Sequence, residues 1–364
     1  MQISLTLSVY LIVRYCLIVF CFNYDRSEIR QLPSIAKPSQ CKPVQRIVYL
    51  KTHKTGSTTV TTTFQRYGYT RNLTFALPKM TLHMFPQFRP FMRNDVLGYS
   101  NNSKNFDMLV NHAMFNRSEM EKVIPRAVFF TTLRDPVSQF ESAFAFYRQA
   151  ERLGIKTSNP ISTFLSNPKS FRIRDNVLPK DQLQNGQLYD LGLRQSDFND
   201  TFEIKQKIKQ LENEFDLVMI TEYMDESFIL LKRMLCWETD DIVYAPKLVR
   251  TSKSRYNMSG STRMRILEWN HGDVLLHDHF NQTLWRKIRE YGPGFRRDLN
   301  EFRNRMSKIT TMCSKEELDH DNVTRPLHPV RMKEGAPELC KNLYREAKDY
   351  AVLFRVINGY SLIN

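Results

Sequence analysis

The sequence predicts an α/β fold, a central parallel sheet flanked by helices, preceded by one N-terminal transmembrane helix. Short, continuous apolar runs of strand length recur along the chain. Stretches with helical spacing of apolar residues lie between them. The first residues form one long apolar segment.

That segment, Ile3 to Phe22, is near the ~20 residues that a spanning helix needs. It ends in Cys21-Phe22-Asn23-Tyr24 with no A-x-A pattern, so an uncleaved signal-anchor is expected, with a cleaved signal peptide as the alternative. Arg14 interrupts the span, which is costly in lipid. Either route sends the remainder into the secretory lumen. Residues 1–2 are then a short cytoplasmic N-terminus and 3–22 the anchor. Residues 23–44, with prolines at 33, 38 and 43, read as a stem. Seven N-x-S/T sequons, the first at Asn72 and the last at Asn322, agree with a lumenal address. Cys41, Cys236, Cys313 and Cys340 lie outside the span and can form two disulfides in three pairings. No C-x-x-C pair occurs, so neither a zinc site nor a redox motif is expected.

The globular part begins with the run Arg46 to Leu50. Phe106 to Val110, Ala127 to Leu133 and Leu217 to Ile220 follow as further strands. Such uninterrupted runs suit strands buried on both faces of a parallel sheet. Val60, Phe64 and Tyr67 suggest a helix ending near Gly68. Phe140, Phe144 and Tyr147 share a face of a second helix, as do Ile204, Ile208, Leu211 and Phe215 of a third. Asp225-Glu226 opens a fourth, running through Phe228, Leu231, Met234 and Leu235. Strands alternating with helices imply a doubly wound sheet. Beyond Ser314 the pattern supports one helix, Pro337 to Ala351.

The chain has 364 residues, 41% of them hydrophobic, with 24 Phe and 16 Tyr to fill a core. Lys and Arg outnumber Asp and Glu by 53 to 38, a net charge of +15. This field favours phosphorylated cofactors, acidic glycans or a membrane surface. With no long Lys/Arg run and no RNA-recognition signature, nucleic acid is not an expected partner.

The first strand runs into Lys51-Thr52-His53-Lys54-Thr55-Gly56-Ser57-Thr58-Thr59 and then a helix. In a strand–loop–helix layout, backbone N–H groups and the helix dipole converge on an anion. Gly56 permits close backbone approach, Lys54 adds charge, and Ser57, Thr58 and Thr59 add hydroxyl donors. The threonines are poor helix formers, so local preference is overridden here. One glycine, and a lysine before it, do not make a Walker A loop, which counts against a nucleoside triphosphatase.

The third strand ends in Arg134-Asp135-Pro136, with Asp135 suited to an N-cap and Pro136 to the first helical position. Ser142 lies eight residues after Arg134, so both can reach one phosphate. Together the two motifs resemble the 5′-phosphosulfate loop and 3′-phosphate site of sulfotransferases that use 3′-phosphoadenosine 5′-phosphosulfate (PAPS). Leu50-Lys51-Thr52-His53-Lys54-Thr55, Leu133-Arg134-Asp135-Pro136, Phe140-Glu141-Ser142-Ala143-Phe144 and Glu222-Tyr223-Met224-Asp225-Glu226-Ser227 narrow the likeness. So do Leu235-Cys236-Trp237-Glu238 and the run Phe280 to Lys287. These blocks resemble the galactose-3-O-sulfotransferase family, which includes galactosylceramide sulfotransferase, over roughly residues 45 to 313. Gly56 departs from it, standing where relatives often have Ala.

The resemblance implies a P-loop-like sulfotransferase fold over 45–313, with 314–364 as a C-terminal extension. It implies a type II Golgi membrane enzyme of glycolipid or glycoprotein biosynthesis. PAPS would be the donor, a terminal β-galactose the acceptor at its 3-hydroxyl, and no metal would be required. Homodimerisation is compatible with this reading. Lys54 should lie against the bridging oxygen of the phosphosulfate, and the backbone from Thr55 to Thr58 on the 5′-phosphate. Lys51, Thr52 and Thr59 belong to the same donor loop, while Arg134 and Ser142 should hold the 3′-phosphate. The base for the acceptor hydroxyl is expected to be His53, inside the donor loop, or His112, after the second strand. His271, His277 and His279, the pair Glu222-Tyr223, and Trp237, Trp269 and Trp285 are weaker candidates for sugar contact. Alternatives are a uronyl 2-O-sulfotransferase acting on glycosaminoglycans, a non-catalytic glycan-binding membrane glycoprotein, and a lumenal kinase or hydrolase.

Overall fold

Four parallel strands make the sheet: β1 (Ile47–Leu50), β2 (Met108–Leu109), β3 (Val128–Leu133) and β4 (Leu217–Ile220), in the order β2-β1-β3-β4. The register sets Ile47 opposite Met108 and Val128, and Phe130 opposite Leu217. Every residue of β1 and β4 is buried, which is why these runs are apolar without alternation. Of the run Phe106 to Val110, only Met108 and Leu109 form a strand, at one edge of the sheet.

The computed structural model describes residues 41–100, 106–171, 183–247, 255–314 and 332–360. Pro43–Asn364 make up one compact unit. The expected membrane span at residues 3–22 lies outside the described residues. Among those described, no helix is long and apolar enough to cross a membrane.

The helices that matter for the site are α1 (Ser57–Tyr69), α2 (Pro136–Phe146), α3 (Gly186–Asp190), α4 (Thr201–Glu214) and α5 (Met224–Leu235). They continue with α6 (His271–Tyr291), α7 (Gly294–Cys313), α8 (Glu338–Tyr344) and α9 (Ala347–Ile357). α1 forms despite its threonines because their hydroxyls find backbone partners. Thr62 and Thr63 donate to the Thr59 carbonyl at 3.0 and 3.1 Å, and Thr61 to that of Val110 at 3.3 Å. α2 starts as its sequence dictates: Asp135 accepts from the Ser138 N–H at 2.8 Å, and Pro136 opens the helix. α4 buries Ile204, Ile208 and Leu211, and α5 buries Phe228, Leu231 and Leu235.

One apolar core surrounds the sheet, and a second gathers Val137, Phe140, Phe144, Phe164 and Ile266 beside α2. The expected helix from Pro337 to Ala351 is instead two helices, α8 and α9, both packed on α1. Arg345 and Glu346 between them are extended, with ψ of 136° and 152°. Cys340, Leu343, Tyr350 and Phe354 join the main core, so this part of the expected extension is integral to it. A Cys313–Cys340 disulfide ties α8 to the end of α7. With a sequence separation of 27, chain entropy gives such a link about 3–4 kcal/mol.

Candidate active site

In an open parallel sheet, ligands bind at the carboxyl ends of strands, where the strand order reverses direction. Here that point falls between β1 and β3, because β1 leads outward to β2 and β3 leads the other way to β4. A cleft of about 420 Å³ opens there, and Lys51, His53, Lys54, Arg134, Ser142 and His112 all line it. The size suits a small-molecule ligand.

The loop from β1 to α1 turns sharply. Gly56 has φ of 70° and Lys54 has φ of 61°, both left-handed. No side chain caps α1, so the N–H groups of Ser57 and Thr58 are open to an anion, while that of Thr59 donates to the Gly56 carbonyl at 3.0 Å. Gly56 packs tightly: a Cβ there would lie 3.3 Å from Thr221 Cγ2. An alanine at this position would carry that crowding and the strain of its φ. The Lys54 ammonium sits 3.6 Å over the Phe146 ring. Arg134 Nη1 donates to the Lys54 carbonyl at 3.2 Å, which joins the two predicted anion cradles. Gln187 holds the Arg134 backbone at both ends, accepting from its N–H at 2.8 Å and donating to its carbonyl at 3.0 Å. The Thr221 hydroxyl lies 2.5 Å from the Thr55 carbonyl and 2.9 Å from that of Leu133, tying three strand ends together.

Some loop residues face away from the cleft. Thr52 and Thr55 are fully buried, and their hydroxyls bond to each other at 2.8 Å. The Thr52 hydroxyl also meets the Thr132 carbonyl, and Ser57 donates to the Thr52 carbonyl at 2.6 Å. The Thr52 side chain, a member of the expected donor loop, therefore braces that loop against β3. Ser57 lines the cleft, but its hydroxyl proton points inward. Thr58 and Thr59 line the cleft, with the Thr59 hydroxyl accepting from the Lys247 N–H at 3.0 Å.

His53 and His112 come together as stacked rings, 3.9 Å apart with 13° between planes. His53 Nδ1 donates to the Asp190 carboxylate at 2.9 Å, and the His53 backbone N–H donates to the same group at 2.7 Å. His112 Nδ1 donates to the Lys51 carbonyl at 2.8 Å. A carboxylate and a carbonyl only accept here, so each Nδ1 carries a proton and each Nε2 is left as the acceptor. Burial, with His53 and Lys51 beside it, holds His112 well below the usual imidazole range. His83, also in the cleft wall, is lowered by burial, Lys51 and His53.

Lys51 is 7% exposed, and no carboxylate pairs with it among the described residues. Burial pushes its ammonium down to about 8. The protonated form binds anions, so donor affinity should be lost as pH rises through that value. We expect kcat/KM for the donor, which reports the free enzyme, to fall above about pH 8. Lys51→Arg should keep its charge and remove that limb. A limb that persists in the arginine variant would belong to another group.

Asp190 and Gln187 both stand on α3, a short helix fixed by α6. Asp273 accepts from the Gln187 and Leu188 N–H groups at 3.1 and 2.9 Å, and Asn270 accepts from Asn185 at 2.9 Å. Burial raises Asp273 to about 7 in spite of those donors, with Asp190 adding to the rise. Asp190, Gln187, Asp273 and Thr221 were not found from the sequence, because nothing local distinguishes them from helix-cap and strand-end residues.

Other candidates lie apart from the cleft. His277 faces Glu222 at 3.6 Å and His279 faces Glu212 at 3.2 Å, and both belong to α6 with His271. Glu222 accepts from the Asp135 N–H at 3.1 Å, so it orders the turn into α2. Trp237 stacks on Tyr67 at 3.5 Å, Trp269 donates to the Leu183 carbonyl, and Trp285 packs edge-on to Tyr223. These tryptophans pack the protein interior and do not line the cleft.

The model of the family described as Galactose-3-O-sulfotransferase matches residues 2–336. Galactose-3-O-sulfotransferase 2 of Homo sapiens is 32% identical over 286 residues, covering 77% of this chain and 71% of its own length. Galactose-3-O-sulfotransferase 3 of Mus musculus is 32% identical, covering 90% and 78%. Galactosylceramide sulfotransferase of Homo sapiens is 33% identical, covering 75% and 65%. The family match runs through Lys54, Arg134, Ser142 and the paired histidines, and on it the chain belongs to the galactose-3-O-sulfotransferase family.

Proposed function

We propose that this chain transfers a sulfuryl group from PAPS to the 3-hydroxyl of a terminal β-galactose on a glycolipid or glycoprotein glycan. The observation that carries it is the convergence of Lys54, Arg134, Ser142 and the His53–Asp190 pair on one cleft. That cleft fits the donor. It offers the open N-terminus of α1 at one place, and Arg134 with Ser142, Lys247 and Arg255 for further phosphate. When bound, the donor supplies an activated sulfuryl group whose bond to the bridging oxygen breaks as a bond to the galactose oxygen forms. Lys54 stabilises the charge on the departing oxygen. The first N–H groups of α1 hold the 5′-phosphate, and Arg134 with Ser142 holds the 3′-phosphate. His53 Nε2 takes the proton of the acceptor hydroxyl, while Asp190 stabilises the resulting imidazolium. His112, neutral and stacked beneath, offers its own Nε2 to the sugar. No step in this scheme calls for a metal, and among the described residues no cluster of ligating side chains occurs.

The reading extends to a single-pass Golgi membrane protein, with residues 3–22 as anchor, 23–44 as stem and a lumenal catalytic part. The apolar run, the sequons and the Cys313–Cys340 disulfide support an oxidising lumenal address. Transfer of labelled sulfate from PAPS to a panel of galactosides tests the activity. The panel should hold galactosylceramide, N-glycan and mucin-type termini, and a uronic-acid polymer. The expected product is galactose sulfated at the 3-position. Product on the polymer alone would favour the uronyl reading, and no product anywhere would reject both. Arg134→Ala should weaken binding of 3′,5′-adenosine bisphosphate (PAP) by about 10–100-fold, the worth of charge-assisted bonds. Adenosine 5′-phosphate, which lacks the 3′-group, should bind the two proteins alike.

A further inference from the structure

We propose that Arg355, on α9 and remote in sequence from every motif above, is a positioning residue for His112. The proposal rests on the sulfotransferase reading for its kinetic test, though not for its structural one. Arg355 is 3% exposed. Its Nη2 donates to the carbonyl of Pro78, to that of Thr81 at 3.0 Å and to that of Lys79 at 3.5 Å. These carbonyls belong to a segment that pairs with β2 at Met108 and again with the chain beyond β2 at His112. At the first, the Ala76 N–H donates to the Met108 carbonyl at 2.8 Å. At the second, the Phe85 N–H donates to the His112 carbonyl at 2.8 Å, and the His112 N–H to that of His83 at 3.4 Å. Between them the chain leaves the sheet edge, and the ladder cannot satisfy its carbonyls there. Arg355 does so instead, through the charged Nη2 end of its guanidinium.

The excursion therefore has a fixed span, and that span sets where His83–Phe85 rejoins His112. Thr81 closes the turn: its hydroxyl accepts from the Met84 N–H at 2.9 Å and donates to the Met84 carbonyl at 2.6 Å. His112 in turn must keep its ring on the Lys51 carbonyl and against His53, both contacts that a shift of a fraction of an ångström would spoil. α9 is firmly seated. Phe354 stacks on Phe75 at 3.9 Å, and Tyr360 lies so close to Gly98 that a Cβ there would sit 2.0 Å from its oxygen. The preceding link also grips the other wall of the cleft, where Lys247 Nζ donates to the Tyr344 carbonyl at 2.7 Å. The family match ends at residue 336, before either helix. The C-terminal pair thus serves the active site from outside the recognised region.

The test compares Arg355→Met, Arg355→Lys and Phe354→Leu, the last loosening the same helix without touching the three carbonyls. Measurements are made well below each variant's Tm. For Arg355→Met we expect at least a tenfold loss of kcat with PAP affinity within threefold of wild type. Amide exchange at Phe85 and His112 should speed at least tenfold. Arg355→Lys, which reaches fewer carbonyls, should fall between, and it carries the test if the methionine variant does not fold. Phe354→Leu should lower Tm yet keep kcat within threefold. Unchanged exchange at Phe85 and His112 in the Arg355 variants would overturn the proposal, as would equal kcat loss in Phe354→Leu. If wild type sulfates no galactoside, the activity reading fails, and exchange at the two amides still decides the clamp.

Discussion

Replacing His53 with alanine should lower kcat by about 10²–10⁴-fold, the range set by loss of a positioned general base. Affinity for PAP should hardly change, because the proposed donor contacts are made by Arg134, Ser142 and the N-terminus of α1, and not by His53. The choice of His53 over His112 follows from their partners. Protonation of His53 at Nε2 places an imidazolium against the Asp190 carboxylate at 2.9 Å. Protonation of His112 would place it against a neutral carbonyl, in a buried site that already disfavours charge. Asp190→Asn should cost about 10²-fold. An amide turned toward Nδ1 can present its NH₂ there and select the tautomer whose Nε2 cannot accept a proton. Since Asp190 also accepts the His53 backbone N–H, Tm must be read alongside kcat. His112→Ala should lose less than His53→Ala. The opposite ranking would move the role of base to His112.

Lys54→Ala should lower kcat by about 10²–10³-fold, the usual effect of removing one preorganised group aimed at developing charge. PAP affinity should suffer less, since PAP lacks the sulfuryl group and its bridging oxygen. Lys54→Arg should recover part of the rate, because the charge remains while the compact ammonium is lost. The Phe146 ring is half-exposed beside the cleft and holds the ammonium 3.6 Å from its centroid. A Lys54→Ala enzyme with wild-type kcat would remove the lysine from the reaction.

Much of the fold was legible because its signals are contiguous. The four apolar runs became the four strands, and the 4, 3, 4 spacing from Ile204 became α4. The Asp135-Pro136 start of α2 needs only the four consecutive residues from Asp135 to Ser138. Legibility failed where distant groups override local preference. The chain from Pro337 to Ala351 has a continuous helical pattern, yet it breaks at Arg345–Glu346. There the Lys247 ammonium takes the Tyr344 carbonyl and lies 3.5 Å from the Glu346 carboxylate. Thr52 read as a donor-loop residue, but pairing of β1 with β3 turned its hydroxyl onto the Thr132 carbonyl.

The sequence by itself determined the parallel sheet, the strand-end loops and the two residue groups, around Lys54 and around Arg134, that meet in the cleft. In each, the chemistry-bearing residues are close neighbours and carry their own periodicity or cap. Only the tertiary structure decided which histidine has a carboxylate behind it, which lysine is stripped of water, and which arginine holds the cleft wall. Asp190 reaches His53 across 137 positions, and Arg355 reaches Pro78 across 277. Contacts at that separation arise from how helices pack on a sheet, and no local pattern encodes them.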